Sequence, residues 1–311
     1  MNPLDLLDKA LFQELGNNCR VSFTELSKKY DVSVNTIKNR VEDMLKQGLI
    51  VSFDVQLKLS LYNASFALII LRLKRLLTEQ EQDEIGNHNF ITAIATGMQL
   101  DGQVVIVYRN NDELNEVIEF LRANENVKDL ELFQMLPPPS STAGLPVAKE
   151  LDALKRIDWQ ILHGLRWNGR KPIKELAKEL GRSAPTVRKR LDFMREQGFL
   201  HETTLTNIGV VEQGFVINYG LEFPEMSSEN HLDMEKEIRS VFEDSFIVSW
   251  KVVDRPIIFM TFQVNSAAEA QEIQAQLLSK YPDHLTITQA ISGGWKYYHD
   301  FRDRILEERS Q

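Results

Sequence analysis

Two short segments of the sequence carry hydroxyl, amide and cationic side chains of the kinds that contact nucleic acids. In the first segment these residues are Ser33, Asn35, Thr36, Lys38, Asn39 and Arg40, and in the second they are Ser183, Thr186, Arg188, Lys189 and Arg190. In a DNA major groove, asparagine can form two hydrogen bonds with adenine, and arginine can form two with guanine. Neighbouring cations can contact phosphates, which position a protein without specifying a sequence. These segments therefore suit contact with double-stranded DNA.

The two segments occupy equivalent places in a long repeat. Residues 4–50 and 154–200 align without a gap at an offset of 150 residues, with 14 identities in 47 positions. The identical pairs that bear on the fold are Asp8/Asp158, Glu25/Glu175, Leu26/Leu176, Ser33/Ser183, Thr36/Thr186, Arg40/Arg190, Met44/Met194 and Gly48/Gly198. A repeat of this length indicates that a whole structural unit has been duplicated.

Each copy predicts three short helices, the third of which carries the DNA-contacting side chains. In the first copy Ile37, Val41 and Met44 recur at helical spacing and must face the core. Ser33 is the expected N-cap of this helix, and Gly48 is its expected left-handed stop. The polar and cationic positions between the apolar ones then point outward, as in the recognition helix of a helix-turn-helix domain.

The elements around this helix refine the prediction. Residues 49–59 are expected to form an extended strand, either a wing or a linker, which completes a winged helix-turn-helix. Arg40 and Arg190 lie one turn beyond the base-contacting positions, where we expect phosphate contacts. Asp8 and Asp158 are expected to cap or bridge helices without touching DNA.

After each helix-turn-helix, the pattern changes to strand-helix-strand-strand-helix-strand, the order of a ferredoxin-like domain. The predicted strands are 66–74, 90–97, 103–108 and 127–136 in the first copy, and 214–223, 246–253, 257–264 and 285–291 in the second. Helices are expected at 78–87, 112–123 and 232–242, and another begins at the cap Ser266. Residues 295–309 predict a charged helix that has no counterpart in the first half.

We therefore expect an α+β protein in which a winged helix-turn-helix and a ferredoxin-like domain occur twice in tandem. The predicted helix-turn-helix domains are residues 1–59 and 150–208, the ferredoxin-like domains are 60–136 and 209–295, and a C-terminal helix occupies 296–311. Residues 137–149 contain three consecutive prolines followed by a Ser- and Gly-containing stretch, which is typical of a linker between domains.

The charge is distributed unevenly between the two copies. The whole chain of 311 residues carries a formal net charge of −9, but residues 166–195 contain ten Lys or Arg against three Asp or Glu. Residues 17–50 contain six against four. Because a local basic face attracts phosphate more than the net charge repels it, we expect the second copy to dominate DNA binding. The outward positions also differ between the copies, which predicts unlike half-sites.

Other classes of function lack support in the sequence. Cys19 is the only cysteine, so an internal disulfide is excluded and a cytoplasmic protein is expected. No apolar run is long enough to span a bilayer, and no signal peptide is evident. The six histidines lack metal-ligand spacing, and nucleophile-elbow, Walker and dinucleotide motifs are absent. We expect neither an enzyme nor a cofactor.

The third-helix motif resembles that of the Lrp/AsnC (feast/famine) transcription regulators, in a tandem-duplicated form of archaeal type. The matching residues are Ser33-x-x-Thr36-Ile37-x-x-Arg40-Val41-x-x-Met44 and Ser183-x-x-Thr186-Val187-x-x-Arg190-Leu191-x-x-Met194, each followed by Gln-Gly. The resemblance implies binding of double-stranded DNA, homodimerisation through the ferredoxin-like (RAM) domains and a small-molecule effector such as an amino acid. It also implies an effector site at the turn between the second and third sensing strands, where this sequence has Gly97, Met98 and Asp101.

Two alternatives stay open at this point. The siroheme decarboxylases are also built from paired Lrp/AsnC-like units, and their catalytic histidine corresponds to His88 in His88-Asn89-Phe90. Here phenylalanine replaces the tyrosine of that motif, and no arginine follows it. A scaffold protein whose helix-turn-helix domains have lost DNA binding is the second alternative, since the first copy carries little net charge.

Overall fold

The computed structural model describes residues 5–97, 99–136, 154–207, 215–223, 228–242 and 245–311. These residues form two compact units, each of which combines equivalent parts of the two copies. The helical unit consists of the described residues of 5–64, 154–207 and 299–311, and the sheet unit consists of those of 65–136 and 215–298. The linker predicted at 137–149 and Met98 lie outside the described residues. Within the described residues, no helix combines the length and hydropathy needed to cross a membrane.

The elements follow the predicted order in both halves. The first half contains α1 (Leu6–Asn17), α2 (Phe23–Lys29), α3 (Val34–Lys46), β1 (Ile50–Leu57), β2 (Ser65–Leu73), α4 (Glu79–Gly86), β3 (Ile91–Gly97), β4 (Asp101–Tyr108), α5 (Asn111–Ala123) and β5 (Val127–Leu136). The second half contains α6 (Arg156–Leu165), α7 (Ile173–Glu179), α8 (Ala184–Glu196), β6 (Leu200–Thr206), β7 (Phe215–Glu222), α9 (Ser228–Val241), β8 (Phe246–Val252), β9 (Ile257–Val264), α10 (Ala267–Lys280), β10 (Leu285–Tyr297) and α11 (Asp300–Ser310).

The predicted ends of the third helix in each copy are confirmed. Ser33 Oγ accepts a hydrogen bond from the Thr36 amide at 3.0 Å, and Ser183 Oγ accepts one from the Thr186 amide at 3.3 Å. Each serine satisfies a backbone N–H that has no partner inside its helix. After the last turn the backbone takes a positive φ at glycine, 76° at Gly48 and 66° at Gly198. Local sequence therefore sets where both recognition helices start and stop.

The strands that follow these helices pair with each other rather than with a second strand of their own domain. β1 and β6 form a two-stranded antiparallel sheet in which Phe53 faces Thr204 and Asp54 faces Thr203. Equivalent backbone contacts flank this sheet: the Gly169 amide donates to the Phe53 carbonyl at 2.7 Å, and the Cys19 amide donates to the Glu202 carbonyl at 2.8 Å. A local twofold axis therefore relates the copies, with Asp54 and Thr203 in equivalent places. Of the two alternatives for residues 49–59, the structure shows a linker strand that joins the two copies.

Side chains on both sides of this small sheet reach across from one copy to the other. The Arg170 guanidinium donates to the Cys19 carbonyl and lies 4.4 Å from the ring centre of Phe23. In the equivalent position, Arg20 Nη2 donates to the Lys171 carbonyl at 3.0 Å. The identity of Arg20 and Arg170 in the repeat thus reflects their role in joining the two helix-turn-helix domains.

A glycine at this junction has no room for a side chain. A Cβ added at Gly169 would lie 2.9 Å from the Asp54 carbonyl oxygen and 3.2 Å from Cys19 Sγ, whereas one added at Gly16, in the last turn of α1, meets nothing closer than Thr204 Oγ1 at 4.0 Å. We expect Gly169→Ala to lower the free energy of unfolding by about 1–3 kcal/mol, because backbone must move to relieve the overlap. Gly16→Ala is the matched control, expected to be neutral or stabilising by up to about 1 kcal/mol because alanine favours a helix. Urea unfolding measures both, and an equal effect of the two substitutions would contradict this account.

The ferredoxin-like domains close on each other in the sheet unit. The strands run in the order β3-β4-β2-β5 in the first copy and β8-β9-β7-β10 in the second, and pairing of β5 with β8 and of β10 with β3 makes one eight-stranded barrel. Apolar side chains from the strands of both ferredoxin-like domains pack into one buried cluster, which includes Leu68, Phe133 and Phe259. The opposite faces of the second-copy strands pack under α9 and α10. The two copies therefore share one closed sheet.

The C-terminal helix begins later than the sequence predicted. Trp295, Lys296 and Tyr297 continue β10 and pair with Ala95, Ile94 and Ala93 of β3, so the prediction of a helix from residue 295 is wrong at its start. The strand partner β3 lies far away in the sequence, and local periodicity could not reveal it. Helix α11 starts at Asp300 and buries Phe301, Ile305 and Leu306.

Candidate nucleic-acid interface

The first recognition helix presents a polar face of low net charge. Ile37, Val41 and Met44 are buried on its inner face, and Asn35, Lys38 and Asn39 are exposed on its outer face. Thr36 is half-buried, with its Oγ1 2.8 Å from Ser33 Oγ. Lys38 Nζ lies 3.6 Å from the Glu42 carboxylate, one turn further along the helix. Part of the positive charge of this face is therefore compensated within the helix.

The second recognition helix keeps its outer cations uncompensated. Val187, Leu191 and Met194 are buried, while Thr186, Arg188 and Lys189 are exposed. Within the part of the chain that the structure describes, neither Arg188 nor Lys189 forms an ion pair with a carboxylate. Pro185 occupies the first turn, where its missing N–H has no helical partner to lose. This helix end can therefore offer two cations to an anionic ligand.

The predicted phosphate contacts of Arg40 and Arg190 compete with acids inside each domain. Arg190 Nε donates to the Asp158 carboxylate at 2.6 Å, and Arg40 Nη1 donates to that of Asp8 at 3.0 Å. Asp158 is fully buried and the Arg190 side chain is only 18% exposed, so we expect Arg190 to hold the helices together. Arg40 is 39% exposed, and its contact with phosphate stays a prediction.

The acids confirm the expectation that Asp8 and Asp158 bridge helices. Each lies on the first helix of its copy and reaches the arginine on the third helix. Burial raises the pKa of Asp8 above its ordinary value, although the nearby Arg40 guanidinium acts in the opposite direction. The pairing fixes the recognition helix against the first helix in both copies.

One exposed cation beside the second recognition helix was not singled out in the sequence. Arg182 lies in the turn before α8, directly after Gly181, whose φ of 59° reverses the chain. The equivalent position in the first copy holds Val32, so the difference adds to the charge asymmetry. The only signal in the sequence was the excess of basic residues between 166 and 195.

In the turn proposed as an effector site, the Asp101 side chain packs against the turn's own backbone. A Cβ added at Gly97 would lie 1.9 Å from Asp101 Oδ1, so the carboxylate lies against this glycine. Asp101 Oδ1 also accepts a hydrogen bond from the Gln99 amide at 3.1 Å, and burial raises the pKa of this carboxyl. The structure brings Gly97 and Asp101 together, whereas an effector contact at either residue stays a prediction.

His88, the residue that a siroheme decarboxylase would use, is enclosed by neighbouring side chains. Its ring lies 4.6 Å from that of Phe120 and 5.7 Å from that of Phe90. His88 Nε2 lies 3.6 Å from Glu116 Oε1, and the histidine side chain is 10% exposed. This environment explains the residue as part of the packing between α5 and the sheet.

Comparison with known proteins identifies both helix-turn-helix domains. The family described as winged helix-turn-helix DNA-binding matches residues 4–51 and 154–200. An uncharacterized HTH-type transcriptional regulator of Pyrococcus furiosus is 26% identical over 130 residues, which cover 39% of this chain and 82% of that protein. A second such regulator from the same organism is 34% identical over 84 residues, covering 26% of this chain and 56% of the relative.

A solved structure shares the complete tandem architecture. The siroheme decarboxylase NirDL superposes with a TM-score of 0.59, covering 98% of this chain and 98% of its own at 14% sequence identity. The superposition establishes a common fold, and at this low sequence identity it leaves the activity open. The comparisons therefore show two winged helix-turn-helix DNA-binding domains in a chain whose sequence is similar to HTH-type transcriptional regulators.

Proposed function

We propose that the chain binds double-stranded DNA sequence-specifically and that its second helix-turn-helix domain supplies most of the attraction. The observation that carries this proposal is the outer face of α8, where Arg188 and Lys189 are exposed and form no ion pair among the described residues. An uncompensated cation at a helix-turn-helix gains more from a phosphate or a guanine than one already paired within its helix. The first domain, whose Lys38 lies near Glu42, contributes less.

The two domains contact different sequences in this proposal. The outward positions hold Asn35 and Asn39 in α3, against Pro185 and Lys189 in α8. Asparagine favours adenine, and the Arg188 guanidinium of α8 favours guanine. The target is therefore a pair of unlike half-sites rather than a palindrome.

Two further features complete the proposal. An amino acid or similar small molecule binds near Gly97, Met98 and Asp101 and modulates DNA binding in the cytoplasm. Two chains associate into a homodimer that presents four helix-turn-helix domains. Both features rest on the resemblance to Lrp/AsnC regulators, and size-exclusion chromatography with and without a panel of amino acids tests them.

The alternative functions have weaker support. A siroheme decarboxylase requires groups that hold a carboxylated tetrapyrrole, and the contacts of His88 with Phe120 and Glu116 already account for that residue. A scaffold protein requires helix-turn-helix domains that have lost their cationic face, and α8 retains one. We therefore favour DNA binding.

A salt titration tests the proposed function. The purified chain is mixed with a fluorescent pool of genomic fragments from its host, and the affinity is measured at increasing salt. We expect the logarithm of the binding constant to fall linearly with the logarithm of the salt concentration, with a slope of about −0.9 per neutralised phosphate. Binding that is absent at low salt, or that does not change with salt, would favour the scaffold. Binding and decarboxylation of siroheme would favour the enzyme.

A further inference from the structure

The C-terminal helix α11 packs against α6, the first helix of the second helix-turn-helix domain. The Ser310 carbonyl accepts hydrogen bonds from Arg156 Nε at 3.4 Å and from Gln160 Nε2 at 3.3 Å, and both donors belong to α6. The Arg309 guanidinium lies 6.0 Å from the ring centre of Trp159 on the same helix. These contacts fasten α11 to the second domain.

Arg302 of α11 also reaches the strand of the first domain. Its Nη1 pairs with Asp54 Oδ1 on β1, and its Nη2 donates to the Arg166 carbonyl at the end of α6 at 2.8 Å. The side chains of Arg302 and Asp54 are only 13% and 6% exposed. One buried guanidinium therefore contacts both helix-turn-helix domains at once.

The local twofold axis shows what happens where no such helix is present. Asp54 pairs across the sheet with Thr203, which takes the equivalent place in the second copy and is buried and uncharged. The carbonyl equivalent to that of Arg166 belongs to Gly16, and there it accepts a hydrogen bond from Thr203 Oγ1 at 2.7 Å. A carboxylate thus stands on the side of the sheet that has an arginine to pair with it, and the other side closes with a hydroxyl.

The position of Asp54 connects this ion pair to the recognition helices. Asp54 lies on β1, which follows α3 directly after the turn at Gly48, and Arg166 ends α6, whose Asp158 holds α8 through Arg190. Loss of Arg302 would leave a buried carboxylate without its cation, which strongly favours movement of the strand toward water. The ion pair therefore links the strand that follows α3 to the end of the helix that holds α8.

We propose that Arg302 is a positioning residue that fixes the separation of the two recognition helices and thereby sets the spacing between half-sites that the chain accepts. This inference rests on the proposed DNA binding. Half-sites for paired helix-turn-helix domains repeat with the helical turn of DNA, so an imposed separation gives a sharp optimum of spacing. If the two domains move freely, the second half-site increases the affinity less at the best spacing. The affinity then also falls less when the spacing departs from the best one.

The first part of the test measures the separation without DNA. Spin labels are placed at the equivalent, exposed positions Lys46→Cys and Glu196→Cys, and the buried Cys19 stays unlabelled. Pulsed electron paramagnetic resonance spectroscopy gives the distribution of distances between the two spin labels. We expect Arg302→Gln to broaden this distribution about twofold, and Arg302→Lys to restore most of the original width, because a lysine can still pair with the buried acid. Glu308→Gln, at an exposed position of the same helix, is the matched control, and we expect it to leave the width unchanged.

The second part measures spacing selectivity. A duplex selected from a random pool is rebuilt with its half-sites moved apart or together in single base-pair steps. The wild-type chain should bind the best spacing about tenfold or more tightly than one shifted by half a turn, and Arg302→Gln should reduce this ratio to about threefold or less. Binding to a duplex with one half-site should change less than about twofold, since the side chains that face DNA are intact.

The outcomes separate the two proposals. An unchanged label distribution and an unchanged spacing profile in a folded Arg302→Gln chain would overturn the positioning role. If Arg302→Gln does not fold, the double variant Asp54→Asn with Arg302→Gln removes both charges together and replaces it in both measurements. A wild-type chain that binds none of the duplexes overturns the proposed function instead, and the label distributions then still decide whether Arg302 restrains the domains.

Discussion

Replacing Arg188 and Lys189 by alanine is expected to weaken DNA binding about ten- to a hundredfold. Both cations are exposed on α8 and form no ion pair among the described residues, so their full charge is available to DNA. An arginine that makes two hydrogen bonds with guanine contributes about 1–3 kcal/mol of discrimination, and the lysine neutralises one phosphate. Fluorescence anisotropy at several salt concentrations measures the loss, and the log–log salt slope should become shallower by about 0.9 for each phosphate contact removed.

The equivalent substitutions in the first domain provide the control. Lys38→Ala with Asn39→Ala changes the same two positions of α3, and we expect a loss of less than about fivefold because Lys38 is partly compensated by Glu42. Equal losses from the two double variants would contradict the asymmetric model. Circular dichroism of both variants verifies that the exposed substitutions leave the helices intact.

Asp158→Asn is expected to destabilise the protein by about 2–4 kcal/mol, because removal of one partner from a buried ion pair leaves the other without compensation. Asp158 is fully buried, and its carboxylate accepts hydrogen bonds from Arg190 Nε at 2.6 Å and from the Lys155 amide at 2.7 Å. An asparagine can replace only part of this set of acceptors. Urea unfolding followed by circular dichroism measures the change in the free energy of unfolding.

Asp8→Asn is the matched control in the first copy. Its partner Arg40 is 39% exposed and also pairs with Asp5, so water and a second acid compensate for the lost charge. We expect a loss of about 1 kcal/mol or less there. A larger loss from Asp8→Asn than from Asp158→Asn would show that burial does not govern the strength of these pairs.

Sequence patterns predicted most elements because helices and strands leave local signatures. The stripe of Ile37, Val41 and Met44 and the caps at Ser33 and Gly48 specify α3 without any knowledge of its neighbours. Pairings between distant segments leave no such signature. The sheet of β1 with β6 and the continuation of β10 to Tyr297 both depend on partners more than 140 residues away.

In the candidate site, too, the sequence predicted the features that depend on local periodicity but not those that depend on distant segments. Outward-facing positions such as Arg188 and Lys189 follow from helical periodicity, and the structure finds them exposed. Arg190 also points away from the apolar stripe, yet it lies against Asp158 because the first helix packs beside it. The identity of Asp158 with Asp8 in the repeat carried this information, but only the packing of α6 against α8 shows which arginine each acid holds.

The closed barrel has a consequence for how DNA binding would depend on the concentration of this protein. Because β5 pairs with β8 and β10 pairs with β3 inside a single chain, dilution cannot separate the two halves. A single chain needs no prior association to present two helix-turn-helix domains, so the occupancy of a pair of half-sites by one chain should rise in proportion to the protein concentration when the protein is scarce. For a protein that must first assemble from two separate halves, the occupancy of such a site instead varies with the square of the concentration of the halves. Its occupancy therefore falls more steeply on dilution.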